Sequence, residues 1–468
     1  MRIVIYALIL GLLSLGSAWG AERANPRSMT FPPLQFSVPK AERIILNNGT
    51  PVYLLQDREL PIVTVAALIR TGSVYDPAAK SGLAQLAGSL LRGGGTAALT
   101  PGQLDEELEF MASGVESAFG TDSGTVTMTS LTRNLPRSLE LFGDVLFRPR
   151  FDKQRFEIAR RQALEAIRRQ NDDPKEVANR ELTRALYAGH PLGQFPTAAT
   201  LQAINRSDLQ AFQQRFVRPD NLIITVAGDF DRNLIIDQLN RTVGAVRPVG
   251  PLALPAIPAV PTNDKPAVLY AAKEVNQSVI RLGHLGITKD DPDLYAVRVL
   301  DFILGGSFTS RLMMEIRTNR GLAYNVGSRF DVGRRFAGSF MAETETKAEA
   351  TLKVIDLMTG IIKGMRTGLV SEQELTRAKE SIINSFLFGF TSPASIVMQQ
   401  ARLEFYGYPS DYLDRYRERI AAVTRDDLLR AARAHLRPGE FKLVVVGDAK
   451  SFDQPLSSIG MVQELVLQ

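Results

Sequence analysis

The sequence predicts an α+β protein of two homologous domains, each a mostly antiparallel sheet packed with helices, joined by a proline-rich linker. Three observations point there. First, a stretch recurs. Ile204 to Asp229 reads I-N-R-S-D-L … F-V-R-P-D-N-L-I-I-T-V-A-G-D, and Val423 to Asp448 reads V-T-R-D-D-L … H-L-R-P-G-E-F-K-L-V-V-V-G-D, at a constant separation of 219 residues. Asp208/Asp427, Arg218/Arg437, Pro219/Pro438 and Gly228/Gly447 align without a gap, the mark of an internal duplication. Second, each copy reads as a helix, an Arg-Pro turn and a buried strand, while strands elsewhere come in sequence-local groups. Third, Val246 to Pro266 carries Pro248, Pro251, Pro255, Pro258, Pro261 and Pro266, so it suits neither a helix nor a central strand and behaves as a semi-rigid spacer. The expected division is 1–20 export signal, 21–39 extended arm, 40–245 first domain, 246–266 linker, 267–450 second domain and 451–468 tail.

Taken in order, Arg2 supplies a charge, Ile3 to Leu15 an apolar core and Ala18-Trp19-Gly20 a small-x-small cleavage pattern, which together read as an export signal. The apolar run falls short of the roughly 20 residues that span a bilayer. No later segment is long and apolar enough, so no transmembrane segment is expected in the mature chain. Export is expected, to the periplasm if the source is Gram-negative. Arg43 to Gln56 reads as strand, turn (Asn47-Asn48-Gly49) and strand, and Ile62 to Arg70 as a third, β-branched strand. Ser81 to Thr96 is a short amphipathic helix, with Leu83, Leu86, Ala87 and Leu90 at i, i+3, i+4, i+7 and Gly93, Gly94 and Gly95 ending it. Thr100-Pro101 opens another helix, as N-cap and first residue. Glu116 to Gly120 and Thr125 to Leu131 form a hairpin. Leu135 to Phe147 and the charged stretch Asp152 to Asn171 are helices. Beyond the linker come a helix at Asp293 to Leu304, a Gly305-Gly306-Ser307 loop, the segment Arg311 to Arg320, and strands at Tyr324 to Phe330 and Gly338 to Glu343.

Bulk composition excludes several chemistries. The 468 residues hold no cysteine, which removes disulfides, thiol catalysis and cysteine-zinc sites. The formal charge of +5 is small for this length, and the arginines of Arg148 to Arg169 alternate with Glu157 and Glu165 and lack aromatic stacking partners, so no nucleic-acid partner is expected. His190, His284 and His435 lie in separate segments without ligand spacing. The Gly305-Gly306 loop lacks the lysine and spacing of a phosphate cradle.

The helix at Ser81 to Thr96 has a second face. Gln85 and Ser89 are i, i+4 neighbours, the spacing at which a helix offers two ligands to one metal, with Gly88 between them. The stretch resembles the pitrilysin/insulinase family of zinc metallopeptidases, which carries G-L-A-H-x-x-E-H-x-x-x-x-G-T there. Gly82, Leu83, Ala84, Gly95 and Thr96 match the frame. Gln85 and Ser89 stand where the zinc-binding histidines would be, and Gly88 where the glutamate that activates water would be. The resemblance covers nearly the whole mature chain and implies two such domains per chain. It places the third zinc ligand at Glu165, 76 residues after Ser89 in A-L-E-A-I, where the carboxylate survives alone. One carboxylate cannot hold zinc, and a helix glutamate paired with Arg161 or Arg169 is its plainer role. The resemblance therefore implies that this chain has kept the fold and lost the metal.

Arg317 to Tyr324 reads R-T-N-R-G-L-A-Y. The family has an R-x-x-x-x-L-x-Y-like segment here whose arginine and tyrosine reach the zinc site of an opposing domain, and Arg317 and Tyr324 match those positions. A guanidinium can grip a peptide carbonyl and a phenol can donate to the oxyanion formed when an amide is attacked. The implied function is that of a non-catalytic, substrate-binding subunit of an exported zinc endopeptidase, in a processing-peptidase-like heterodimer. No metal is expected on this chain, and a sister chain with H-x-x-E-H would supply the zinc. The alternative is a scaffold or peptide-binding chaperone without a proteolytic role.

Overall fold

The structure is a computed structural model and describes residues 38–467, which form one compact unit. The expected export signal and nearly all of the arm lie outside the described residues. The first half runs β1 (Glu42–Ile45), β2 (Pro51–Gln56), β3 (Ile62–Ile69), α1 (Leu83–Gly93), α2 (Pro101–Phe110), β4 (Gly114–Phe119), β5 (Gly124–Leu131), α3 (Leu135–Phe147), α4 (Lys153–Arg168), α5 (Pro174–Leu186), α6 (Ala198–Ala203), α7 (Arg206–Phe216), β6 (Leu222–Gly228) and α8 (Arg232–Thr242). Residues 246–266 carry neither helix nor strand. The second half runs β7 (Ala267–Ala272), β8 (Gln277–Leu285), α9 (Leu294–Leu304), a wide-turned π-helix (Met313–Asn319), β9 (Ala323–Asp331), β10 (Ser339–Lys347), α10 (Thr351–Gly364), α11 (Glu372–Ser385), α12 (Pro393–Phe405), α13 (Tyr412–Ala422), α14 (Arg425–His435), β11 (Lys442–Gly447) and β12 (Val462–Glu464). Among the described residues no single helix is long and apolar enough to cross a membrane.

Local chemistry sets the boundaries. Thr100 and Gln103 form a reciprocal capping box on α2, with Pro101 as first residue, and Asp152 caps α4 by accepting from the N–H groups of Gln154 and Arg155. In the duplicated stretches Asn205/Asp208 and Thr424/Asp427 make equivalent boxes at the starts of α7 and α14. Two six-stranded sheets result, ordered β1-β2-β6-β3-β5-β4 and β12-β7-β11-β8-β10-β9. Only β2/β6, β7/β11 and β7/β12 run parallel, so both sheets are mixed and mostly antiparallel. The registers repeat as well. Val226 faces Val65 as Val445 faces Ile280, and Ile224 faces Val52 as Leu443 faces Val268.

The halves exchange helices. The apolar face of α5 (Val177, Ala178, Leu182, Leu186) packs on Leu269, Val279, Val444 and Val446 of the second sheet. Ala401 and Phe405 of α12 pack on Leu68 and Ile223 of the first. Pro174 and Pro393 open the two helices at the same 219-residue separation, and Tyr187 and Tyr406 follow them at that separation too. The Tyr187 hydroxyl donates to the carbonyl of Ala337 (3.1 Å), and the Tyr406 hydroxyl to Asp122 Oδ1 (3.1 Å), each in the hairpin turn of the borrowed sheet. Under α5, Arg281 bonds Asn179 Oδ1 (3.0 Å) and pairs with Glu343 (3.3 Å) and Glu345 (3.1 Å). The segment between the halves is pinned to α5 and the turn after it, since Asn263 donates to the carbonyl of Ala185 (2.6 Å) and His190 Nε2 lies 3.0 Å from the carbonyl oxygen of Pro258.

Candidate functional site

The helix α1 is fixed at both ends. Asp76 accepts from the N–H groups of Gly82 and Ala84 (both 2.9 Å), an acid placed where the helix dipole favours it. Leu83, Leu86, Ala87, Leu90 and Leu91 enter the core. Gln85 and Ser89 point to solvent on one face, and the Ser89 hydroxyl donates to its own helix at the carbonyl of Leu86 (3.1 Å). Gly88 faces the other way, onto β4. A Cβ built there would lie 2.4 Å from the backbone nitrogen of Phe119 and 2.9 Å from its Cβ. Ser117 Oγ donates to the Gly88 carbonyl (2.6 Å), and Arg92 Nε to the carbonyl of Val115 (3.1 Å), so helix and strand are bonded together where a side chain at position 88 would have to pass.

Glu165 is exposed on α4 and pairs with Arg169 (3.2 Å) and Arg168 (3.4 Å). Arg169 is a partner the sequence suggested; Arg161 is not used. The donor set toward zinc is thus an amide, a hydroxyl turned to its own helix and a carboxylate already on two arginines. Zinc takes thiolate, imidazole or carboxylate ligands, and these residues do not fit it. Replacing a mid-helix glycine with alanine ordinarily stabilises by about 1 kcal/mol. For Gly88→Ala the sign should invert, to a loss of about 1–3 kcal/mol in urea unfolding, because overpacking against backbone outweighs propensity. A stabilised variant would show that α1 stands clear of β4.

Arg317 lies on the π-helix, a wide-turned geometry frequent at functional sites. Its guanidinium rests 5.1 Å from the centre of the Tyr324 ring. Tyr324, near the start of the edge strand β9, is 86% exposed. Neighbouring arginines are committed. Arg311 forms a two-point pair with Glu374 (2.7 and 3.0 Å), whose carboxyl it holds down at about 2, and Arg320 pairs with Glu315 (2.6 Å). Arg317 has no carboxylate partner among the described residues; its other contact is Met313 Sδ at 3.8 Å. The structure brings Arg317 and Tyr324 together and leaves both available.

The pattern of the insulinase (peptidase M16) family matches residues 52–199, and that of the peptidase M16 inactive domain matches residues 203–382, together well over half of the chain. The chain belongs to the insulinase family, M16. Within M16 it is similar to an uncharacterized zinc protease of Mycobacterium bovis, 26% identical over 323 residues that make up 68% of this chain and 73% of that one. It is similar also to the non-peptidase homolog YmxG of Helicobacter pylori, 24% identical over 405 residues, 86% of this chain and 92% of that one. Among solved structures, a peptidase M16 inactive domain from Pseudomonas fluorescens matches with a TM-score of 0.79 at 28% identity, over 87% of this chain and 98% of that one. The periplasmic protease PqqL of Escherichia coli shares the fold (TM-score 0.75, 15% identity), over 93% of this chain and 50% of that one. The chain is a non-catalytic member of M16.

The three histidines of this M16 chain hold the scaffold. His190 is buried, accepts from the N–H of Leu192 (3.1 Å) and meets Phe336 edge-on. His435 forms, with Asp291 and Asp293, a cluster that sequence spacing could not show, because α9 and α14 bring its members together. Its Nε2 lies 2.9 Å from Asp293, whose other oxygen accepts from Arg430 (2.5 Å), so a guanidinium already offsets the acids. His284 stacks against Phe340 and Phe441, which also stack on each other. Its Nε2 accepts from the N–H of Arg437 (3.1 Å), which leaves Nδ1–H to donate to Leu285 (2.7 Å), so the ring is neutral. Burial pushes it down to about 4. Between that value and the ordinary value near 6.5 the unfolded chain binds a proton that the folded chain refuses, so this group makes stability fall as pH drops, by at most about 1.4 kcal/mol per pH unit. Asp301 and Asp76, pushed up by burial to about 7 and about 6, act in the opposite sense. The expected result is therefore a difference: His284→Gln should flatten the fall in stability from about pH 6.5 to 4 relative to the parent, read by urea midpoints across that range.

Proposed function

We propose that this chain is the non-catalytic, substrate-binding subunit of an exported zinc endopeptidase acting on peptides or unfolded segments. The zinc and the H-x-x-E-H helix would belong to a sister chain. The observation that carries the reading is a contrast within one molecule. At α1 the hydrolytic positions carry no ligand or base and Gly88 is closed by β4, while an exposed Tyr324 stacks on a half-buried Arg317 that has no carboxylate partner among the described residues. Arg317 would grip a carbonyl of the bound peptide and Tyr324 would donate to the oxygen that gains charge, with the peptide added as a strand at a sheet edge. The non-peptidase and inactive-domain names of its relatives support a role without hydrolysis of its own. Export to the periplasm of a Gram-negative source is part of the same proposal and rests on residues 1–20.

Purified alone, the protein should hold no stoichiometric zinc and cleave no peptide, and mixing with a sister chain bearing H-x-x-E-H, sought in a neighbouring reading frame, should restore cleavage. Stoichiometric zinc in the solitary chain, with chelator-sensitive cleavage, would overturn the assignment.

A further inference from the structure

The duplication supplies an internal comparison. Met128 faces Val65 as Thr344 faces Ile280, and Val65 and Ile280 face the matching positions Val226 and Val445, so α3 and α10 follow equivalent strands and Gly143 corresponds to Thr359. By the same registers Val52 corresponds to Val268.

In the first half α8 fills the angle between α3 and the sheet. A Cβ on Gly143 would stand 3.5 Å from Thr242 of α8. Ile235, Leu239 and Val243 are buried in the core, and the N–H of Asn47 and the Asn48 amide donate to Asn240 Oδ1 and the carbonyl of Val243 (both 2.9 Å). Val52 beneath is fully buried.

In the second half the chain makes only short turns between β11 and β12. The corresponding angle is an open groove of about 870 Å³. Val268, Leu443 and Phe441 line its floor, Ile355 and Thr359 its wall, and Met461 stands at the lip, 94% exposed. Val268 is only half-buried where its twin Val52 is covered. Asp356 and Lys363 lie on the α10 rim two helical turns apart, and neither has an ion partner among the described residues. A second groove, of about 880 Å³, follows the other side of α10 past Gly360 and Gly364, so this helix stands as a bare ridge.

We propose that the groove beside α10 docks an amphipathic helix of a second polypeptide. The apolar floor calls for side chains at i, i+4 and i+8, the pattern by which α8 covers the twin site. The rim calls for a basic residue over Asp356 and an acidic one two turns on, over Lys363, since two unpaired opposite charges fix the direction of an incoming helix. The inference stands apart from the peptidase reading, because it uses neither Arg317, Tyr324 nor α1.

The probe is a synthetic peptide of residues 231–244, the sequence of α8 with its flanks. The chain has no cysteine, so Thr359→Cys carries a single environment-sensitive dye. A saturable blue shift with this peptide, absent with its Leu239→Glu form, is the expected result. In the unlabelled protein, Thr359→Trp should fill the wall and lower binding of a fluorescein-tagged peptide at least tenfold while leaving the unfolding midpoint unchanged. No shift, or an equal shift with both peptides, overturns the proposal. A shift that grows with protein concentration without peptide, in step with self-association by sedimentation, overturns it in favour of a second copy of this chain.

Discussion

Under the proposed function, Tyr324→Phe should lower turnover of a mixture with the sister chain by roughly one to three orders of magnitude, the cost of one donor to a developing oxyanion. The substitution is unusually clean here. The ring stays, so its stacking under Arg317 at 5.1 Å stays. The side chain is 86% exposed near the start of an edge strand, so packing and stability should not change. Only the hydroxyl goes. A loss confined to kcat, with KM and the unfolding midpoint unmoved, is the signature of an interaction made in the transition state alone. Arg317→Gln should instead raise KM, because a guanidinium on a substrate carbonyl is already engaged in the bound state. Undiminished turnover in Tyr324→Phe would remove the phenol from the mechanism.

Arg281→Ala should destabilise the protein by about 3–5 kcal/mol, the usual cost of removing one partner from a buried ion network. Arg281 is 3% exposed and joins three elements: its own strand, Glu343 and Glu345 on β10, and Asn179 on the borrowed helix α5. Removing it leaves the half-buried carboxylates of Glu343 and Glu345 beside α5, with Lys175 on Glu345 (3.0 Å) as the one remaining ion partner of the two among the described residues. Against a typical total of about 5–15 kcal/mol this is a large share. Urea unfolding measures it. A midpoint shift worth less than about 1 kcal/mol would mean that water screens the network as it does a surface pair.

Much of the fold was legible because the deciding signals are local. Thr100-Pro101, Asp152 and the Asn47-Asn48-Gly49 turn act within a few residues of themselves, and the observed boundaries follow them. The repeat was legible where side chains were kept. It was not legible upstream, where P-K-E-V-A-N-R-E-L and P-A-S-I-V-M-Q-Q-A share little beyond the proline, although α5 and α12 keep the same separation. Nothing in either segment says which sheet it covers. The site divides in the same way. That Gln85, Gly88 and Ser89 carry neither imidazole nor carboxylate could be read from residue types alone. That Phe119 closes the space beside Gly88, that Arg311 and Arg320 are spent while Arg317 is not, and that His435 meets Asp291 and Asp293 depend on tertiary packing.

The exchange of α5 and α12 bears on how the chain is made. The first sheet keeps Leu68 and Ile223 uncovered until the segment with Ala401 and Phe405 leaves the ribosome, long after that sheet's last strand has emerged. Neither half is therefore a complete folding unit, and the nascent protein must remain in an unfinished, aggregation-prone state until most of its length is available.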